Sequence, residues 1–245
     1  MKTVLINQAR MTSTRLPGKV LLNVQGRTLL EIQIERLQRI PGVDQVVVAT
    51  TTNGTDDPIV ALCERIGVAV WRGPEADVLA RFEGAARQAN ADWVVRVTSD
   101  CPLIDPEVVG QIIRVAQDPA NPCDYASNTL TRSYPRGLDA ECFAAAALHA
   151  AATEAVDPAE REHVTPFIYW RPERFNVRQV VHTPDLSAHR WTVDTPEDFE
   201  LIRRLLDRLL VESPHFGLQD CLDLLELHPD WAGINAEIQQ KETQS

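Results

Sequence analysis

Apolar runs and amphipathic segments alternate along the first half of the chain. The apolar runs have the length of buried strands and predict β-strands at 3–7, 44–50, 68–71 and 92–98. The segments between them carry apolar residues at helical spacing and predict helices at 28–40, 56–67, 77–90 and 105–118. This alternation is typical of a parallel sheet with helices on both faces. Ligands bind such sheets at the carboxyl ends of the strands, so candidate chemistry is sought there.

The second half has a less regular pattern. Residues 121–143 predict short strands and loops, and the alanine-rich stretch 144–155 favours a helix. The remaining apolar runs predict strands at 175–182 and 189–194 and a helix at 195–210. The chain then continues as an amphipathic segment and ends in a polar tail that we expect to fray.

Two of the predicted helices begin with capping signals. Asp105 precedes Pro106, and Thr195 precedes Pro196 with Asp198 in the first turn. Asp and Thr accept hydrogen bonds from the free N–H groups of a first turn, and proline suits the first helical position. Asp105 and Asp198 are therefore interpreted as capping and first-turn residues.

The composition describes an ordinary globular chain with an acidic balance. The 245 residues are 44% hydrophobic and 24% charged, with a formal net charge of −11. This charge argues against a nucleic-acid partner, which needs broad positive potential, but not against one anion in a local pocket. No apolar run has membrane-spanning length and the N-terminus enters a strand directly, so we expect no membrane partner and a cytoplasmic location. The five cysteines lack CxxC spacing and are expected to be reduced packing residues.

A basic loop follows the first predicted strand. The stretch 8–20, QARMTSTRLPGKV, carries Arg10, Arg15 and Lys19 among three hydroxyl-bearing residues. Such cations, with hydroxyls and backbone N–H groups, can form an anion-binding concavity, so the loop predicts a triphosphate cradle. Its spacing fits neither a Walker loop nor a dinucleotide fingerprint. The alternative is a solvated basic loop with a turn at Pro17-Gly18.

Two aspartates follow the ends of predicted strands. Asp100 comes after strand 92–98, and Asp194 ends strand 189–194. Magnesium prefers one or two carboxylates together with phosphate oxygens and water, so these two aspartates predict a metal site beside the basic loop. The alternatives are a turn aspartate at 100 and a helix-capping aspartate at 194, although Thr195 already occupies the N-cap position.

Seven segments of the chain resemble one enzyme family. In order, they are QARMTSTRLPGKVLLNVQGRTLLE, RGPEADVLARF, RVTSDCPLIDP, YPRGLDAECF, REHVTPFIY, RWTVDTPEDFELI and INAEIQQK. They resemble the sugar-acid cytidylyltransferases, and more closely the spore-coat polysaccharide biosynthesis protein F group, over nearly the whole chain. The resemblance implies an α/β fold of Rossmann-like, GT-A-like nucleotidyltransferase type, a three-layer sandwich with a mostly parallel central sheet. It also implies CTP as donor, Mg²⁺ as cofactor and a homodimer.

The resemblance implies roles for single residues. Nucleotide binding falls to Gln8, Ala9, Arg10, Ser13, Arg15, Lys19, Arg72 and Gly73. Asp100 and Asp194 become metal ligands, and Arg10, Lys19 and Asp100 become the catalytic residues. Thr12 stands where the family more often has glycine.

The nucleoside and the acceptor have fewer candidates. Arg72 and Gly73 follow strand 68–71, where a glycine lets a base or ribose approach the backbone; the alternative is a Gly-Pro turn with a surface arginine. Arg136 could bind an acidic group of the acceptor. His163 could face its hydroxyl or carboxylate, and the alternative is a structural histidine.

The prediction is a single domain over 1–245, with a nucleotide-binding half at about 1–120 and an acceptor and dimerisation half at about 121–245. We expect it to transfer CMP from CTP to an acidic sugar or related acceptor, releasing pyrophosphate, in surface polysaccharide or glycoconjugate synthesis. One alternative is a glycosyltransferase of similar architecture, weakened because Asp100-Cys101-Pro102 is not a metal-binding DxD. The other is a non-catalytic protein that senses a nucleotide.

Overall fold

A computed structural model of the chain describes residues 1–238. Its strands are β1 (Thr3–Gln8), β2 (Asn23–Val24), β3 (Arg27–Thr28), β4 (Gln45–Thr51), β5 (Ala69–Gly73), β6 (Trp93–Thr98), β7 (Tyr125–Ser127), β8 (Glu141–Ala144) and β9 (Val177–Gln179). Its α-helices are α1 (Leu29–Leu37), α2 (Asp57–Ile66), α3 (Val78–Gln88), α4 (Pro106–Ala116), α5 (Ala145–Glu154), α6 (Pro158–His163), α7 (Pro166–Tyr169), α8 (Pro196–Glu212) and α9 (Leu218–Leu227). The strands and helices predicted in the first half are confirmed, with ends that shift by a few residues.

A seven-stranded sheet runs through the molecule in the order β5-β4-β1-β6-β8-β7-β9. β1 pairs in parallel with β4 on one side and β6 on the other, and β4 pairs in parallel with β5. β8 runs antiparallel to both β6 and β7, and β9 is parallel to β7. The second half of the chain thus extends the sheet of the first half, and the carboxyl ends of β1, β4, β5 and β6 meet at one edge.

Helices cover both faces of the sheet, because successive side chains of a strand point to opposite sides. Val4 and Ile6 of β1 pack in one apolar cluster with α3 and α5. Leu5 packs on the opposite face with α4, and α1 and α2 pack there against Val48 of β4. The predicted three-layer sandwich with a mostly parallel sheet is therefore confirmed. A further cluster joins α8 and α9 to α1.

The predicted strand at 189–194 is wrong. This segment contributes an isolated bridge between Arg190 and Arg136 and no strand. Its N–H groups divide between two partners: Trp191 donates to the carbonyl of Arg136, and Val193 donates to the carbonyl of Asp100. Because these N–H groups bond to two different segments, the chain forms no regular β-ladder with either one. The bond to Asp100 nevertheless holds the segment directly beside the end of β6.

Other parts of the second half differ less from expectation. The strand predicted at 175–182 is reduced to β9, and the sequence pattern missed α6, α7 and α9. The helix at 195–210 is α8, and its Thr195–Asp198 capping box is present. The polar tail lies mainly at 239–245, outside the described residues.

The cysteines and helices fit the expected environment. All five cysteines are buried and unpaired, as predicted. Within residues 1–238, the helices are too short or too polar to cross a bilayer.

Gly84 sets the distance between α3 and β5. A Cβ at this position would lie 2.5 Å from Cζ2 of Trp71, far inside contact distance. Trp71 precedes Arg72 and Gly73 on β5. Its contact with Gly84 therefore fixes how closely α3 packs on the part of β5 that leads to the ligand edge. A side chain at 84 must displace an indole that is held between a strand and a helix.

We expect Gly84→Ala to lower the free energy of unfolding by about 1–3 kcal/mol, because overpacking outweighs the gain in helix propensity. Gly233→Ala is the control, since no atom lies within 4 Å of its added Cβ. Urea unfolding followed by circular dichroism measures both. Equal stabilities of Gly84→Ala and Gly233→Ala would contradict the packing argument.

Candidate active site

The basic loop turns sharply after β1 and delivers Lys19 to the ligand edge. The N–H groups of Ser13 and Gly18 both donate to the carbonyl of Met11, which closes the loop on itself. Gly18 has φ of 71°, a conformation that favours glycine, and it precedes a short 3-10 turn, Lys19–Leu21. The turn at Pro17-Gly18, which belonged to the alternative of a solvated basic loop, is therefore present, and it positions Lys19.

Lys19 joins the two strand-end aspartates. Its Nζ lies 3.1 Å from Oδ2 of Asp100 and 2.8 Å from Oδ1 of Asp194, and it also donates to the carbonyl of Val193 at 2.7 Å. Burial lowers the pKa of the Lys19 ammonium, but the two carboxylates outweigh burial, so this pKa lies above its ordinary value. Burial raises the pKa of Asp100, but Lys19 and the Thr98 hydroxyl lower it by more, so this pKa lies below its ordinary value. The carboxyl is therefore ionised at neutral pH.

Two arginines complete the charge balance around Asp194. Arg15 lies 2.7 Å and Arg190 3.1 Å from its Oδ2. Arg190 also pairs at 2.9 Å with Asp198, which is fully buried and accepts a hydrogen bond from Asn235. Asp198 is thus a first-turn capping residue, as predicted, and also the anchor of Arg190. Arg190 and Asn235 both lie in segments that carry the family resemblance, but sequence analysis assigned them no role. Arg190 bonds to partners four and eight positions away, whereas Asn235 bonds to Asp198 and Arg190 from 37 and 45 positions away.

Two adjoining cavities open at this edge of the sheet. The first cavity, of about 420 Å³, is lined by Gln8, Arg10, Ser13, Thr14, Arg15, Lys19, Val20, Thr98, Ser99, Asp100, Glu162 and Asp194. The second cavity, of about 640 Å³, is lined by Gln8, Arg10, Glu75, Ala76, Val78, Arg96, Thr98, Glu162 and His163. The shared residues form a common wall, so the two cavities make one cleft large enough for a small-molecule ligand.

The structure brings most of the predicted site residues into this cleft. The first cavity contains Gln8, Arg10, Ser13, Arg15, Lys19, Asp100 and Asp194, and the second contains His163. Ala9 is buried behind the wall, where its N–H donates to the carbonyl of Ala49. Thr98 and Glu162 line both cavities, but the sequence analysis did not identify them as site residues. The position of Thr98 at the end of β6 was an available signal.

Arg72, Gly73 and Arg136 line neither cavity. The Arg72 guanidinium donates to the carbonyls of Thr51 and Asn53 and pairs with Asp57 at 2.7 Å, so it fastens the turn after β4. Gly73 packs on Arg81, whose atoms lie 3.1–3.3 Å from a Cβ at this position. Arg136 lines a separate cavity of about 380 Å³, beside Trp191.

The donor set at Asp100 and Asp194 suits Mg²⁺. Both carboxylates face one cation position, which the Lys19 ammonium occupies. The part of the chain that the structure describes has no cluster of three or more His, Cys, Asp or Glu side chains that could enclose a metal. Two carboxylates on an open cleft match an ion that keeps water and takes phosphate oxygens from a substrate.

Known proteins resemble the chain over nearly its full length. A sequence model of the family described as cytidylyltransferase matches residues 4–220. The spore coat polysaccharide biosynthesis protein SpsF of Bacillus subtilis is 33% identical over 235 residues, which cover 93% of this chain and 95% of that protein. The structure of a cytidylyltransferase from Leptospira borgpetersenii has a TM-score of 0.89 at 31% identity, covering 99% of this chain and 100% of that one.

A more distant structure shares the fold. It is CMP:2-keto-3-deoxy-manno-octonic acid synthetase complexed with CTP, with a TM-score of 0.64 and 20% identity. The match covers 84% of this chain and 98% of that one.

Asp198 gives the site a pH-dependent stability. Burial raises the pKa of Asp198, but Arg190, Asn235 and the backbone N–H of Asp194 outweigh it, so the folded pKa lies below the ordinary value. A depressed carboxyl pKa stabilises the fold above the ordinary pKa of about 3.9, and this stability is lost as pH falls through the folded value.

We expect Asp198→Asn to lower the free energy of unfolding by about 3–5 kcal/mol at pH 7, because Arg190 loses a buried partner.

Urea unfolding at pH 7, 5 and 3 measures this effect. The difference between wild type and Asp198→Asn should shrink at the lowest pH. Glu197→Gln, at an exposed position of the same helix turn, should change stability by about 1 kcal/mol or less. A difference for Asp198→Asn that stays constant from pH 7 to pH 3 would contradict the ion-pair account.

Proposed function

Because the chain belongs to the cytidylyltransferase family, which matches its residues 4–220, we propose that it transfers CMP from CTP to an acidic sugar or a related acidic acceptor. Pyrophosphate is the second product. The observation that carries the proposal is the set of three cations that line the first cavity, Arg10, Arg15 and Lys19, which together are called the cationic wall. In a chain of net charge −11, such a wall favours a polyanionic ligand at this place.

Nucleotidyl transfer needs positioning and charge compensation more than covalent help from the protein. An acceptor oxygen attacks the α-phosphorus, a new P–O bond forms, and the bond to the β-phosphate oxygen breaks. Negative charge then accumulates on the leaving pyrophosphate. Arg10 and Arg15 present guanidinium groups that can grip phosphate oxygens in pairs, and Lys19 acts as a point charge.

Asp100 and Asp194 would hold Mg²⁺ in this reaction. The ion would neutralise charge on the phosphates and lower the pKa of an acceptor hydroxyl bound to it. Because the Lys19 ammonium already lies between these two carboxylates, it would have to leave that position for them to hold the ion. Triphosphate oxygens would then give the Lys19 ammonium new partners.

The acceptor belongs in the second cavity. His163 and Arg96 line it together with Arg10, and these side chains supply donors for a carboxylate or phosphonate. Arg136 lies outside this space, so His163 is the stronger of the two predicted acceptor residues. The homodimer and the cytoplasmic location inferred from the sequence stay predictions, as does a role in surface polysaccharide synthesis.

The decisive assay measures pyrophosphate release from each of the four ribonucleoside triphosphates with Mg²⁺. The acceptors are acidic sugars, including 3-deoxy-manno-octulosonate, and small phosphonates. We expect release with CTP and an acidic acceptor, and little release with ATP, GTP or UTP. The absence of pyrophosphate from every pairing would refute the transferase proposal, and release from ATP rather than CTP would refute the choice of donor.

Lys19→Met tests the cationic wall. We expect kcat to fall by about 10²–10³-fold, the usual effect of removing one group that stabilises transition-state charge. Asp100→Asn should reduce kcat at least as much, since it removes a metal ligand, and Asp230→Asn on the exposed 3-10 turn Pro229–Gly233 is its matched control. Circular dichroism checks that each variant is folded. Wild-type kcat in folded Lys19→Met would contradict its catalytic role.

A further inference from the structure

One carboxylate of the cleft has no partner. Three acidic side chains line the first cavity, and two of them, Asp100 and Asp194, are held by Lys19. The third is Glu162, which is exposed and whose carboxylate makes no hydrogen bond or ion pair with any residue of the described range 1–238. Both of its oxygens can therefore accept a hydrogen bond from a ligand.

Glu162 stands where the two cavities meet. It lines both, together with Gln8, Arg10 and Thr98. Asp100 and Asp194 line the first cavity alone, and His163 lines the second alone. Among the acidic and histidine side chains of the cleft, Glu162 is thus the one that faces the cationic wall and the acceptor space at once.

The chain around Glu162 is fixed on both sides. On one side, Arg161 pairs with Asp77 and donates to the carbonyls of Ala152 and Ala155. On the other side, Val164 is fully buried with φ of 73° and ψ of −54°, a conformation that β-branched residues rarely adopt. Strained backbone of this kind clusters at functional sites, because the surrounding structure must hold it in place. The carboxylate is therefore presented by a rigid support.

We propose that Glu162 is the catalytic base of the transfer, an inference that rests on the proposed function. Its carboxylate takes the proton of the attacking acceptor hydroxyl as the oxygen forms its bond to the α-phosphorus. The electron pair of the breaking P–O bond leaves with pyrophosphate, and the proton on Glu162 then passes to solvent through the open cleft. Charge and atoms balance without any further reactant.

The test uses the full chain with CTP, Mg²⁺ and the acceptor that gives pyrophosphate with the wild type, 3-deoxy-manno-octulosonate being the first one tried. Glu162→Gln keeps the size of the side chain but removes its basicity. We expect its kcat to fall by about 10²–10⁴-fold, the usual contribution of a general base, while KM for CTP and for the acceptor changes by about threefold or less. Glu173→Gln, at an exposed position outside both cavities, should keep wild-type kinetics.

Chemical rescue separates a base from a structural residue. Added formate should restore part of the activity of Glu162→Ala, since a small carboxylate can occupy the vacated space, and should not restore Asp100→Asn. If Glu162→Ala fails to fold by circular dichroism, the isosteric Glu162→Gln variant carries the test through its kcat.

Three outcomes overturn the proposal. The first is a kcat of Glu162→Gln within about threefold of the wild type, far below the effect of a lost base. The second is a raised KM for the acceptor at unchanged kcat, which would make Glu162 a binding residue. The third is a folded Glu162→Ala that formate does not rescue. A wild type without activity on any acceptor is a different result, because it removes the proposed function itself and the base with it.

Discussion

The site depends on one ammonium group held between two carboxylates. Lys19 reaches Asp100 across 81 positions of sequence and Asp194 across 175, so it joins the loop after β1, the end of β6 and the segment before α8. A buried charge without its partner is costly, and these three groups are mostly shielded from solvent. The contact therefore fixes where these three chain segments lie, and it places one ammonium and two carboxylates together in the first cavity.

A second set of contacts, made by Arg190 and its partners, holds Asp194 in position. Arg190 links Asp194 to the buried Asp198, and Asn235 donates to both Asp198 and the carbonyl of Arg190. Arg15 and Lys19, which line the cleft from the loop after β1, are themselves partners of these carboxylates. A phosphate that binds Arg15 or Lys19 therefore takes the place of a carboxylate partner, so anion binding in this acidic protein is an exchange of ion pairs.

Much of the fold and part of the site could be predicted from the sequence. The apolar runs of β1, β4, β5 and β6 are long and local, so their strand character and the ligand edge followed from pattern alone. The segment 189–194 has the same apolar pattern but is not a strand, because its N–H groups bond to two separate neighbours. Sequence pattern records how apolar a segment is, and not which backbone it meets.

Side-chain direction was the other limit. Arg72 lies near the end of β5 at the ligand edge, yet its guanidinium donates to carbonyls at the end of β4 and in the turn after it. Arg136 faces a different cavity. Glu162 lies in the quoted segment REHVTPFIY, but its position between the cavities depends on how α6 packs on α3 through Arg161 and Asp77.

The most direct test of the central contact is calorimetric titration of Mn²⁺, as a probe for Mg²⁺, into wild type and Lys19→Met without nucleotide. The account predicts that Lys19→Met binds the ion about tenfold or more tightly than wild type, because the competing ammonium is gone. Equal affinities would contradict it.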